Sequence, residues 1–243
     1  LALIAWALGF ALHNTGIVDS FWGMFFLLGA STYAVALPAT GPRMALLLVL
    51  IALWSLRLTA HITLRNWGEP EDRRYQAIRA RNEPGYAWKS LYLVFGLQAV
   101  LALVIGMPLF AGLSSSAALN ALDGIGVLLW CLGFGFEALG DWQLSRFLAD
   151  PAMRGKVMDR GLWRYTRHPN YFGDACAWWG IALVASESGV GAWGLLGAAV
   201  MTGLLLRVSG VALLEKSLRK RKPDYEAYVA RTSAFIPLPP KRG

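Results

Sequence analysis

Long apolar runs constrain this chain more than any other feature. Stretches near 20–38, 43–64, 88–112, 119–147, 170–187 and 190–214 each approach or exceed the roughly 20 residues that a helix needs to cross a hydrocarbon core. A shorter run at 1–12 makes a seventh. A soluble helical protein with a large core does not require runs of this length. Composition agrees, since 56% of the residues are hydrophobic and eleven are Trp, which fits one compact membrane-embedded domain over residues 1–243. Leu1 is not an initiator Met, so the native chain is expected to begin further upstream. No basic segment followed by a small-residue cleavage site marks a signal peptide.

The formal net charge is +8, and its placement argues against nucleic acid as the partner. All but Arg43 and Arg57 of the 23 Lys and Arg fall in three places. These are the 65–89 connection, the 146–167 connection with its flanks, and the chain from Arg207 onward. They alternate with nearly uncharged turns at 13–18, 39–42, 113–118 and 186–190, as the positive-inside rule requires of cytoplasmic segments. The expected fold is therefore an all-α bundle of seven transmembrane helices, with its N-terminus outside and its C-terminus in the cytoplasm. Cys131 and Cys176 both fall inside predicted helices and give neither a disulfide framework nor metal-ligand spacing. No metal site is expected.

Pro and Gly punctuate the connections. "NWGEPEDRRYQAIRARNEPGYAWK" (66–89) brackets a polar stretch that suits one short surface helix, and "FLADPAMRGKVMDRGLW" (147–163) reads as an irregular loop. "PLPPKRG" (237–243) reads as an extended tail.

Polar residues within the spans are the next signal, because a charge near the bilayer centre costs at least about 2.5 kcal/mol and usually faces inward for a reason. Arg57, His61 and Arg65 recur at i, i+4 and i+8 in the third span. Glu137, Asp141 and Ser145 repeat the device in the fifth. The seventh carries Arg207, with Glu215 near its cytoplasmic end. Interhelical ion pairs that fix the bundle, such as Arg57 with Glu137, account for single members of the set. For the whole set, the concentration toward cytoplasmic halves and basic loops points to a cytoplasm-facing pocket for an anionic ligand.

"GLWRYTRHPNYFGDACAWWG" (161–180) reads as the entrance of that pocket. Pro169 suits a first helical turn, so Arg164, Arg167 and His168 are expected to join the positive end of a helix in binding phosphate or carboxylate. Asn170 and Asp174 share a face one turn apart and suit an amide, a ribose hydroxyl or an adenine edge. Tyr165, Tyr171 and Trp178 offer flat surfaces. Anchoring at the membrane interface explains the arginines and aromatics but not the Asn170/Asp174 pair.

That stretch resembles the signature of the steroid 5α-reductase-like family of integral membrane enzymes, in particular its bacterial branch. "NTGIVDSFWG" (14–23), "WSLRLTAHITLRNWGEPEDRRYQAIR" (54–79), "FEALGDWQLSRF" (136–147) and "DYEAYVARTSAFIPLPP" (224–240) resemble the same branch. The resemblance implies an NADPH-dependent reductase of a carbon–carbon double bond conjugated to a carbonyl, in a steroid-like or other lipid. It implies Asn170 and Asp174 as cofactor ligands at the sixth helix, and Asp141 as the acidic cofactor residue of the fifth. Arg65, Arg164, Tyr165, Arg167, His168, Tyr171, Arg207 and Glu215 complete the candidate cofactor set. The animal steroid enzymes hold the substrate carbonyl with a Gln-Glu pair and a Tyr. No Gln-Glu pair lies near 20–38, where Asp19 is the nearby acid. "RHPNY" is also similar to isoprenylcysteine carboxyl methyltransferases, which leaves an S-adenosylmethionine-dependent methyltransferase as the alternative. A lipid-binding protein without catalysis is a third reading.

Hydride delivery to an enone leaves negative charge on the carbonyl oxygen, which calls for a proton donor or cation there. His61, Tyr75 and Arg57 are the candidates, with Asp19 or Glu137 orienting them. The number of arginines suits NADPH better than NADH. The expected partners are the bilayer and a hydrophobic lipid-like substrate, and the expected state is a monomer. The Arg- and Ala-rich composition points to a bacterial plasma membrane, or to the endoplasmic reticulum in a eukaryote.

Overall fold

The structure, a computed structural model, describes residues 1–36, 41–186, 191–208 and 211–241. Residues 39–40 and 187–190 of the predicted turns, and part of the seventh predicted span, lie outside the described residues. Among the described residues the chain is helical, with one isolated bridge between Thr166 and Ser233. It divides into two compact units, Leu1–Ala118 and Leu119–Gly243. Among the described residues three helices are long and apolar enough to cross a membrane: Pro42–Asn66, Tyr86–Met107 and Ala121–Ala149, of 25, 22 and 29 residues. Ala2–Ala11 and Trp193–Arg207 are apolar but shorter.

The first unit comprises α1 (Ala2–Ala11), α2 (Ile17–Ala36), α3 (Pro42–Asn66), α4 (Arg73–Asn82), α5 (Tyr86–Ser90) and α6 (Leu97–Leu113), with a π-helical turn at Leu91–Gly96 joining α5 to α6. Gly23 lets α2 approach α3 closely, since a Cβ there would lie 2.8 Å from the Ser55 carbonyl oxygen. Beside this contact Phe26 meets Trp22 and Trp54 edge-on, at centroid distances of 5.2 and 5.7 Å. The short helix expected in the 66–89 connection is α4. Its N-cap is Asp72, whose carboxylate accepts from the Arg74 N–H at 2.8 Å.

At one end of this unit the fully buried Arg43 donates to Ser115 Oγ and the Ala118 carbonyl, both at 3.0 Å. At the other, the Thr15 N–H donates to Glu71 at 2.7 Å, and Arg79 binds the same carboxylate at 2.9 Å. The 13–18 turn therefore lies with the basic 65–89 connection, although it has no charge of its own to mark its side.

The second unit comprises α7 (Ala121–Ala149), α8 (Pro169–Ser186), α9 (Leu196–Gly203), α10 (Val211–Arg221) and α11 (Tyr225–Arg231). Asn120 and Asp123 start α7 with a reciprocal capping box. Gly126, Gly133 and Gly140 recur every seven residues on α7 and face α8, which brings Gly180 and Gly173, also seven apart, to the contact. A Cβ on Gly126 would lie 2.8 Å from the Gly180 carbonyl, and one on Gly180 would lie 2.5 Å from the Gly126 carbonyl. The two backbones touch in antiparallel register, the close approach that small residues permit between membrane helices. This contact sets the register of Asp141, one residue past Gly140, against the start of α8. The loop expected at 147–163 contains short 3₁₀ turns at Pro151–Met153 and Gly161–Arg164.

Candidate functional site

Each unit holds an acid-centred polar cluster that gathers residues named from sequence. In the first unit the acid is Asp19, in the opening turn of α2. The Tyr75 hydroxyl donates to Asp19 Oδ1 at 2.5 Å, and Arg74 donates to Asp19 Oδ2 at 2.8 Å. Gln98 Nε2 donates to the Tyr75 oxygen at 3.2 Å. Gln98 opens α6 just beyond the π-helical turn, whose Val94 and Phe95 pack with Ala5, Val18 and Tyr75 in one apolar cluster. Burial, reinforced by the neighbouring Asp19 charge, pushes the Tyr75 hydroxyl well above its ordinary pKa. It therefore keeps its proton throughout the physiological range. Burial would lower the Arg74 pKa, but Asp19 and Asp72 outweigh it and raise it, so this cation is permanent.

A cavity of about 520 Å³ adjoins this cluster, between the start of α2, the end of α3 and the 67–72 connection. Gly16 forms the shared wall: it lines the cavity, and a Cβ on it would lie 3.4 Å from the Tyr75 ring.

In the second unit the acid is Glu215 on α10. Arg167 Nε donates to Glu215 Oε1 at 2.7 Å and its Nη2 to Oε2 at 3.2 Å. His168 Nε2 lies 3.1 Å from Oε1, and because a carboxylate only accepts, this nitrogen carries the hydrogen. The remaining Arg167 donor, Nη1, goes to the carbonyls of Thr232 at 2.5 Å and Val229 at 3.2 Å. Burial would raise the Glu215 pKa, but hydrogen bonds from His168 and Arg167 and their charge hold it down at about 2. The Thr166 hydroxyl donates to the Phe235 carbonyl at 2.8 Å, the Arg167 N–H to the Ser233 carbonyl at 2.9 Å and the Leu238 N–H to the Tyr165 carbonyl at 3.0 Å. The tail expected to be extended is thus laid along the 162–168 segment.

One turn along, Asn170 Nδ2 donates to Asp141 Oδ1 at 3.1 Å, while its carbonyl oxygen accepts from the Tyr171 N–H at 3.0 Å. Asp141 and Asp174 are buried, Asn170 and Tyr171 half-buried. Tyr171 stacks on His168 with the rings 5° from parallel.

The residues named from sequence thus separate into groups. Tyr75 and Asp19 are brought together, as are Asn170 and Asp141, and Arg167, His168 and Glu215. Arg57 and His61 lie half-buried on α3. Arg65, Arg164, Tyr165 and Arg207 are exposed, Arg65 donating to Asn66 at 3.1 Å. Arg167 differs from its expected role as a phosphate ligand, because its donors are taken by Glu215 and main-chain carbonyls. Arg154, Lys156 and Arg160 are exposed beside Arg164 in the same connection. Among the described residues no group of three or more His, Cys, Asp and Glu is placed to hold a metal ion. Sequence reasoning missed Gln98 and the Arg74–Asp19 pair. The heptad spacing of Gly126, Gly133 and Gly140 was the available signal for the contact that aligns Asp141 with Asn170.

Three of the described helices are long and apolar enough to cross a membrane, and the clusters around Asp19 and Glu215 are centred outside those three. Residues 5–232 match the family described as protein of unknown function DUF1295, and the chain belongs to it. It is similar to an uncharacterized protein of Schizosaccharomyces pombe, C594.04c, with 26% identity over 271 residues, covering 98% of this chain and 76% of that protein. No solved structure matches.

Proposed function

We propose that this chain is an integral membrane reductase that uses NADPH to saturate a carbon–carbon double bond conjugated to a carbonyl in a lipid. The observation that carries the reading is the buried Tyr75, its hydroxyl held between Asp19 and Gln98 and its ring separated by Gly16 from a cavity of about 520 Å³. NADPH, when bound, supplies the hydride. The charge that then develops on the substrate oxygen needs a donor; Tyr75 is still protonated at neutral pH and would turn its one hydrogen from Asp19 Oδ1 to the substrate oxygen. Arg74 and Gln98 stabilise the tyrosine oxygen as the proton leaves it. Asp19 holds Tyr75 and Arg74 in register, and His61 and Arg57 remain candidates at the same oxygen.

The second unit fits the cofactor by the chemistry of its donors. Asn170 and Asp141 present an amide and a carboxylate suited to ribose or carboxamide, and the exposed Arg154, Lys156, Arg160 and Arg164 suit phosphates. Arg167, His168 and Glu215 act as positioning residues that fix the start of α8. The same Asn170–Asp141 pair would serve the ribose of S-adenosylmethionine, the alternative cofactor. Methyl transfer has no use for a proton donor, so Tyr75 separates the two readings. Tyr75→Phe is expected to lower single-turnover hydride transfer by about 10²–10⁴-fold, with NADPH affinity within about twofold. A mutant with normal turnover would remove Tyr75 from the mechanism.

We read the topology as seven spans with the N-terminus outside and the C-terminus cytoplasmic, in a bacterial plasma membrane, as a monomer acting on a hydrophobic lipid and not on nucleic acid. Supporting this, the 13–18 turn shares one end of the first unit with the basic 71–79 stretch, and Gly41 shares the other end with Ser115. In a chain with Cys131 and Cys176 replaced by Ser, cysteines at the exposed Arg81 and Arg154 are expected to react with a membrane-impermeant reagent from the cytoplasmic side only. Labelling from outside would reverse the orientation.

A further inference from the structure

The C-terminal segment forms a closed loop with an apolar tip. The Lys241 N–H donates to the Arg231 carbonyl at 2.9 Å, which joins the ends of residues 231–241 as in an Ω-loop. Its first half runs beside Thr166 and Arg167, and the Leu238 N–H ties its second half to the Tyr165 carbonyl at 3.0 Å. Along the tip the side chains alternate. Phe235 turns inward and meets Phe172 of α8 edge-on at 5.9 Å, and Phe172 meets Phe136 of α7 at 5.2 Å. Ile236 and Leu238 point away, 60% and 53% exposed. Trp142 of α7, itself 53% exposed, carries the Arg146 guanidinium over its ring at 5.2 Å, a pairing that suits the headgroup level of a span. Phe136 precedes Trp142 by six residues, about 9 Å along the axis toward the middle of α7. The ring stack therefore draws the tip toward the apolar part of the span. Two large aliphatic side chains held out on a strapped backbone are unfavourable in water and favourable at the acyl boundary of a leaflet.

The charges at the base of the loop are positive. The segments that meet there, 159–165 and 231–241, contain Arg160, Arg164, Arg231 and Lys241 against one acid, Asp159, which Arg231 binds. On the adjoining α10 and α11, Glu215 is taken by Arg167 and Glu226 by Arg219. Asp224 stands at the far end of α11, about 10 Å from Arg231 along the axis. Arg160, Arg164 and Lys241 are exposed.

We propose that the 231–241 loop is an interfacial anchor, whose Ile236 and Leu238 enter the leaflet that Trp142 marks while Lys241, with Arg164 and Arg231, binds anionic phospholipid headgroups. The Thr232 carbonyl of the same loop holds the Arg167 guanidinium and its Ser233 carbonyl holds the Arg167 N–H. Contact with the leaflet therefore steadies the segment that leads into α8. This goes beyond the reductase reading and stands apart from it, since it uses only α7 as a membrane span. Lys241 lies outside the candidate cofactor set, so its charge can be changed without altering that set.

The test uses the full-length chain with Cys131 and Cys176 replaced by Ser, in nanodiscs of phosphatidylcholine with or without about one third phosphatidylglycerol. A bimane fluorophore on Ile236→Cys, and separately on Leu238→Cys, is expected to be quenched about threefold or more strongly than one on Asp224→Cys by lipids brominated near the headgroup, with the order reversed for iodide in the water. Phosphatidylglycerol is expected to raise the lipid quenching at both tip positions about twofold and to slow hydrogen exchange across residues 162–168 about fivefold. Lys241→Glu is expected to remove both gains while leaving the melting temperature in detergent unchanged. Iodide quenching at the tip as strong as at Asp224→Cys overturns the proposal. Protection from both quenchers, the result expected if a second copy or another protein covered the tip, overturns it as well. Lipid quenching that does not respond to phosphatidylglycerol, or a response that survives Lys241→Glu, overturns the assignment of anionic headgroups.

Discussion

The clusters around Asp19 and Glu215 are built from the same parts and differ in what surrounds them. Each is a carboxylate shared by an arginine and a second proton-bearing ring. Around Glu215 the side chains are almost wholly enclosed, with Arg167 9% and His168 1% exposed, and the remaining donors of Arg167 end on carbonyls of the C-terminal segment. Around Asp19 the enclosure is looser, with Arg74 40% exposed, and a cavity opens across Gly16. A closed cluster can only hold its neighbours in place, whereas the role proposed for Tyr75 needs the space that lies across Gly16 from its ring.

Removing one acid from each cluster sharpens this contrast. Glu215→Ala leaves Arg167 buried without its counter-charge and is expected to destabilise the fold by about 3–5 kcal/mol. The loss would be read as a lower melting temperature or lower folded yield. Asp19→Asn leaves Arg74 with Asp72 and is expected to cost only about 1 kcal/mol, while sharply lowering turnover per folded molecule. Equal destabilisation by the two changes would break the distinction.

Asn170→Ala tests the second unit at the residue proposed to contact the cofactor. NADPH affinity is expected to fall by about 1–3 kcal/mol, the usual cost of an unsatisfied buried partner. Titration of the purified variant decides it, and affinity unchanged within about twofold would count against the assignment.

The smallest effect is a pH dependence. Since the Glu215 carboxyl is held at about 2, below its ordinary 4.5, its contribution to stability is complete above 4.5 and is lost as pH falls through 2. Glu215→Gln lacks this proton linkage. Its melting temperature is therefore expected to fall less steeply over that window than that of the unaltered chain, and parallel slopes would show that Glu215 does not titrate as described.

Local features were legible in the sequence because local forces make them. Pro70, Pro84 and Gly85 bracket α4, and α8 begins at Pro169 as its fixed φ favours. Residue types at the candidate site were legible too, but their partners were not. Tyr75 and Asp19 lie 56 residues apart and Arg167 and Glu215 lie 48 apart, and helical spacing fixes a face without fixing what that face meets. Arg167 shows the consequence. Beside His168 and a helix start it has the signature of an anion site, yet an acid and two carbonyls from the C-terminal segment take its donors. Conversely, the heptad glycines of α7 and α8 do encode a long-range contact, since only backbone approach requires them.

The central claim is that this chain transfers hydride to an enone. The most direct measurement is a single turnover with NADPH deuterated at its transferable position and trans-3-octadecen-2-one, followed by mass analysis of the product. One deuterium is expected at the carbon β to the carbonyl and one solvent-derived proton at the α carbon, with the yield collapsing in Tyr75→Phe. A protein that binds S-adenosylmethionine, ignores NADPH and returns the enone unreduced would contradict it.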